Sequence, residues 1–141
     1  MQSAKLQDKN IQFLITANYQ RMMSFEQAAF LTNEPSFKAF YLQRAEESEI
    51  NIQQLYLLLN VQYSVDGLNS NISADAYLPN MFRGKKTTIN ILETIKTVEK
   101  TIGKWYKNTL KEITGLPVEI TRLIEEQYKL LNKAQLQMEY L

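Results

Sequence analysis

Apolar residues recur every three or four positions along nearly the whole chain, and the pattern is interrupted at only three places. Two breaks are short and built alike. Asn33-Glu34-Pro35 and Gly115-Leu116-Pro117 each combine a stop for one helix with a start for the next. Gly115 suits a left-handed C-cap and Asn33 an N-cap. Proline fits a first turn, where its missing N–H has no partner to lose. The third break is longer: Val65-Asp66-Gly67-Leu68-Asn69-Ser70-Asn71 opens a polar stretch running past Pro79 to Gly84. Four helices are therefore expected over 8–32, 35–61, 86–113 and 117–140, with a crossover over 62–85.

Counting about 100° per residue fixes the face each helix buries. Helix one aligns Ile11, Leu14, Asn18, Met22, Phe25 and Ala29. Helix two aligns Phe37, Tyr41, Ser48, Ile52, Leu55 and Leu59. The third stripe holds Ile91, Leu92, Ile95, Ile102, Tyr106, Leu110 and Ile113. The fourth holds Ile120, Ile124, Gln127, Leu131, Ala134, Met138 and Leu141. The fold class is all-α. Short turns make two antiparallel hairpins, and a link of about 24 residues between them can run the length of a bundle. That is the ferritin-like arrangement, with one long crossover. A weak internal repeat agrees: a shift of about 81 residues lays Phe25 on Tyr106 and Asn18 on Glu99. A chain of 141 residues, 45% apolar, suits one domain with a real core.

The chain also resembles the bacterial ferritin-like four-helix-bundle proteins catalogued as a domain of unknown function. The similarity rests on Phe25-Glu26-Gln27-Ala28-Ala29, on Asn33-Glu34-Pro35 leading to Phe37-Lys38-Ala39-Phe40, and on Gly84 before Ile91-Leu92-Glu93. Glu99, Trp105-Tyr106 and Leu116-Pro117 extend it over nearly the whole chain. The resemblance implies the fold and no particular activity.

A ferritin-like di-iron centre takes a Glu from each of two helices and a Glu-x-x-His pair from each of the others. This sequence has no histidine, so neither pair can form, and no cysteine, so thiolate ligands and disulfides are excluded. Glu46-Glu47-Ser48-Glu49 is the nearest substitute. If Ser48 points inward, Glu46 points nearly opposite while Glu47 and Glu49 flank the stripe. The expected centre is a polar layer of Asn18, Ser48, Gln127 and a single acid, Glu99, with Gln135 further along helix four. A buried carboxylate needs a partner. Arg21 and Arg44, both near inward faces, are the candidates, or else tyrosine and amide donors nearby. No catalytic, cofactor-binding or metal-ligating residue is assigned: Ser24, Ser36 and Ser48 lack a base or a glycine-rich elbow.

Two surfaces bear on partners. Helix three carries Lys96, Lys100, Lys104, Lys107 and Lys111 after Arg83, Lys85 and Lys86, diluted by Glu93 and Glu112. With a formal charge of +1, this reads as a solvated face rather than a nucleic-acid interface. Leu6, Phe13, Met23 and Phe30, with Leu42, Ile50 and Leu57, lie off the core stripes. They call for cover from Tyr63, Leu68, Tyr77, Leu78, Met81 and Phe82 of the crossover, or from a second copy. A homodimer through helices one and two is one expected arrangement. No signal-peptide core or membrane-span-length apolar run is present, so the cytosol is the expected compartment. The expected function is a non-enzymatic structural or protein-interaction module. The alternative is a divergent metal-binding or oxidase protein with a non-standard carboxylate site.

Overall fold

The computed structural model describes residues 2–59, 82, 84, 87–113 and 116–141, with side chains from Lys9 onward. Four helices occupy most of it: α1 (Gln2–Leu31), α2 (Pro35–Leu57), α3 (Thr88–Glu112) and α4 (Val118–Met138). Among the described residues there is no strand.

Local chemistry accounts for the helix ends, with some corrections to the expected punctuation. Pro35 is the first residue of α2. The cap before it is Glu34 rather than Asn33, because Glu34 has the extended backbone that admits the proline. Its side chain makes no cap bond and instead accepts from the Ser36 hydroxyl at 3.3 Å. At the start of α3, Thr87 accepts from the Asn90 N–H at 3.1 Å, an ordinary threonine N-cap. Pro117 caps α4 from outside instead of opening it. Gly115, the expected C-cap, lies outside the described residues. The second helix stops at Leu57, short of residue 61, where Leu58 and Leu59 tighten into bonds to carbonyls three residues back. Gly84 has φ +74°, the left-handed region that glycine enters without strain.

Hydrogen bonds between helices give their directions. Along α1, residues 18 and 21 meet residues 51 and 48 of α2, and residues 106 and 99 of α3. Along α4, residues 127 and 137 meet 51 and 44 of α2. Residue 127 of α4 and Glu139, its C-cap, meet residues 106 and 96 of α3. Every adjacent pair is antiparallel, so α2 and α3 run the same way. The end of α2 and the start of α3 lie at opposite ends of the bundle. Residues 60–81, most of the expected crossover, lie outside the described residues.

The core follows the four stripes, from Ile11, Leu14 and Phe25 on α1 to Ile124, Leu131 and Met138 on α4. Helix α1 buries more than one stripe. Ile15, Ala17 and Ala28 are also buried, because α1 packs against α2 and α3 together. Leu141 is exposed rather than core, since the helix that would carry it inward ends at Met138. The off-stripe residues divide. Phe13 packs on Trp105 with ring centroids 5.5 Å apart, an intramolecular cover that the stripes did not indicate. Leu42 and Ile50 are exposed, and Phe30 and Leu57 more so, at 79% and 86%. Phe82 is buried in the core. Leu6, Tyr63, Leu68, Tyr77, Leu78 and Met81 lie outside the described residues or side chains. No described helix is long and apolar enough to cross a membrane.

Candidate functional site

Four helices facing one another place inward polar residues in layers, and this bundle has two of them. The first is a ring to which each helix contributes one residue. Asn51 Nδ2 donates to Asn18 Oδ1 at 3.1 Å. Asn18 Nδ2 donates to the Tyr106 hydroxyl at 2.7 Å, and that hydroxyl donates to Gln127 Oε1 at 2.6 Å. Gln127 Nε2 closes the ring on the Asn51 carbonyl at 3.3 Å and also reaches Gln54 Oε1 at 3.1 Å. Each hydrogen bond points the same way round. Asn18, Asn51, Tyr106 and Gln127 are all buried, and an unpaired amide there would be costly. Burial, the dominant influence, pushes the Tyr106 phenol far above its ordinary value.

One turn further along α1, the Arg21 guanidinium forms the second layer. Its Nε donates to Glu99 Oε1 at 2.6 Å and its Nη2 to Glu99 Oε2 at 3.0 Å. Nη2 also donates to Glu47 Oε1 at 2.9 Å. Nη1 donates to the Ser48 hydroxyl at 2.9 Å and to the Arg44 carbonyl at 3.4 Å. A guanidinium has five N–H groups, and each has an acceptor here. Phe25, one turn away, lies 5.2 Å beneath the guanidinium carbon. Arg44 extends the charge chain: its Nε stands 3.5 Å from Glu47 Oε2, and its Nη1 donates to Gln137 at 2.9 Å.

The cluster of Arg21, Arg44, Glu47 and Glu99 balances two cations against two carboxylates. Burial drives the Glu99 carboxyl above its ordinary value, while Arg21 pulls it back. Burial works against the Arg21 charge too, but Glu99 and then Glu47 outweigh it, so the guanidinium is held charged. Two N–H groups of one guanidinium meet the two oxygens of one carboxyl, the bidentate geometry in which Arg and a carboxylate pair best.

The residues expected in one polar layer are therefore all buried but split between two. Asn18 and Gln127 belong to the ring, Ser48 and Glu99 to the guanidinium cluster. Of the expected partners, Arg21 holds Glu99, and Arg44 supports it at second hand through Glu47. Glu46 and Glu49 are exposed, as the helical phase requires for Glu46. Gln135 lies apart, lining a shallow groove with Lys100, Lys104 and Lys107. Asn51, Gln54, Gln137 and the Tyr106 hydroxyl join these layers without having been singled out, and Glu47, placed beside its stripe, reaches in. Asn51 had a signal, because Ser48 and Asn51 are three apart and share a helix face.

On the basic face, Lys100, Lys104, Lys107 and Lys111 are exposed. Lys96 sits between Glu93 at 3.6 Å and Glu139 at 3.9 Å. Arg83, Lys85 and Lys86 lie outside the described residues.

Comparison with known protein families, curated proteins and solved structures finds no match. The chemistry is accordingly read from the geometry. A di-iron centre of the ferritin kind does not fit this donor set. No group of three or more metal-ligating side chains occurs among the described residues. The two carboxylates nearest the centre already face a guanidinium, whose charge would repel a second cation at that point.

Proposed function

We propose that this chain is a ferritin-like bundle that acts by association, as a non-enzymatic structural or protein-interaction module. The observation that carries the reading is the Arg21 cluster. In a bundle of this kind, the centre is where a metal and its open coordination positions would sit. Here a guanidinium whose five N–H groups are all engaged takes the place of the cation, and the carboxylates around it are held by it. Among the described residues, no acid, base or nucleophile of that region is left poised toward a cavity. The ferritin-like topology is supported by the parallel course of α2 and α3, which an up-down-up-down bundle would not have.

The partner in this reading is a second copy, joined through α1 and α2 in a homodimer. Leu42, Ile50 and Leu57 lie within about 80° of one another around α2, and all are exposed, as is Phe30 on α1. Apolar area gathered on one side of a helix is where association is expected. Sedimentation equilibrium tests this directly. The reading expects a mass near twice the 16.5 kDa of one chain, falling to one chain in Leu57→Glu. A wild-type protein that sediments as a single chain at all concentrations would rule out the homodimer. The alternative, a metal-binding or oxidase protein with a carboxylate site, would require stoichiometric iron, manganese or zinc in untagged protein.

A further inference from the structure

Lys100, Gly103, Lys104 and Lys107 fall on one face of α3, and Tyr128, Asn132 and Gln135 fall on one face of α4. Together they line a groove of about 240 Å³ along the seam between the two helices. We propose that this groove binds a small phosphate-chain anion of the triphosphate type, free or as the tail of a nucleotide.

Charge carries the argument. No acidic residue lines the groove, and none of its three lysines makes an ion pair with a described residue. Lys96, one turn earlier on the same stripe, shows the usual arrangement, with Glu93 at 3.6 Å and Glu139 at 3.9 Å. Like charges three and four residues apart on a helix repel and destabilise it. Lys100, Lys104 and Lys107 are spaced in that way and all exposed, so an anion seated among them relieves the repulsion.

Shape supplies a second, independent observation. Gly103 sits in the interior of α3, where glycine lowers helix stability relative to alanine. Close packing does not require it there, because a Cβ at this position would meet no packed neighbour within 4 Å. The missing side chain leaves the groove open between the lysines.

The extent of the positive charge chooses the ligand. Lys100 and Lys107 are about 10 Å apart along the helix axis, more than one phosphate group spans and within reach of a chain of them. Ammonium groups hold phosphate oxygens as point charges, and Asn132 and Gln135 add amide N–H donors. Acids close the stripe at both ends: Glu93 and Glu139 beside Lys96, and Glu112 after Lys111. A long polyanion or an anionic membrane would meet those acids, whereas a short chain does not. The groove is smaller than the roughly 300–1,000 Å³ of drug-sized sites, which suits a small ion. None of its residues belongs to the Arg21 cluster, so this proposal stands or falls separately from the reading of the bundle's centre.

Calorimetric titration at low ionic strength tests it, with inorganic triphosphate and ATP, both free of Mg²⁺, as the probes. Orthophosphate and sulfate are the single-anion controls, and a short DNA duplex represents extended polyanions. Saturable, stoichiometric binding of triphosphate is expected, weakened by added salt and accompanied by a higher melting temperature. Tighter binding of ATP would assign a nucleotide as the source of the phosphate chain, and equal or weaker binding an inorganic one. Lys104→Gln should weaken triphosphate binding about three- to tenfold. Lys133→Gln removes an exposed lysine of α4 outside the groove and should leave it unchanged. Gly103→Leu fills the groove and should weaken binding with an unchanged or higher melting temperature. No saturable binding of triphosphate overturns the proposal. So does orthophosphate or sulfate binding as tightly, an equal loss in Lys133→Gln and Lys104→Gln, binding unaltered in both groove variants, or tighter binding of the duplex.

Discussion

Arg21 on α1 grips Glu99 on α3 through two hydrogen bonds, Nε to Oε1 at 2.6 Å and Nη2 to Oε2 at 3.0 Å, with both side chains fully buried. Such a pair need not add net stability, because removing two charges from water costs about what their attraction returns. Breaking it one-sidedly is another matter.

Arg21→Met leaves Glu99 charged or protonated without its donor and Glu47 without its main one. The expected cost is about 3–5 kcal/mol in urea unfolding. Arg21→Met with Glu99→Leu should recover most of that loss, since the second change removes the stranded acid. If the double variant is less stable than the single one, the loss lies in packing around residue 21 and not in the ion pair.

The ring of Asn18, Asn51, Tyr106 and Gln127 makes a separate claim. Tyr106→Phe keeps the ring's shape but removes the hydroxyl shared by Asn18 and Gln127, leaving two buried amides short of a partner. About 1–3 kcal/mol should be lost. A double-mutant cycle with Asn18→Leu should show coupling, because both changes break one bond. Strictly additive losses would argue against a connected ring.

Tyr41 points the other way. Its hydroxyl is buried and has no hydrogen-bond partner, so Tyr41→Phe should leave stability unchanged or raise it by about 1 kcal/mol. A clear loss on that substitution would show that the hydroxyl is in use.

The same burial gives a pH dependence. It pushes the Tyr41 phenol from its ordinary 10.0 up to about 12. Between those values the unfolded chain has released the proton while the folded one retains it. Folding therefore holds more protons, and stability falls as pH rises through this window. Unfolding free energy measured from pH 9 to pH 12 should decline less steeply in Tyr41→Phe. Equal slopes would mean that Tyr41 titrates alike in both states.

Much of this was legible in the sequence, and the limits have a physical cause. Periodicity assigns each residue a direction around its own helix, so Asn18, Ser48, Glu99 and Gln127 could all be placed inward. It also put Arg21 within reach of Glu99. Height along the bundle depends on how neighbouring helices slide, at about 1.5 Å per residue, and no single helix encodes that offset. One polar layer was therefore expected where two occur. Glu47 flanks its stripe, and only the long reach of Arg21 draws it into the cluster. Asn33 has the composition of a cap, but Glu34 is the residue next to the proline that opens α2. The Phe13–Trp105 contact arises between helices and has no signature in either one.

In the proposed reading a guanidinium takes the place of a metal at the heart of this bundle. Calorimetric titration of untagged, metal-free protein with Mn²⁺, Fe²⁺ (under anaerobic conditions) and Zn²⁺ tests it most directly. No saturable binding at stoichiometric levels and no rise in melting temperature are expected. One or two equivalents bound tightly, with binding lost in Glu99→Gln, would contradict it.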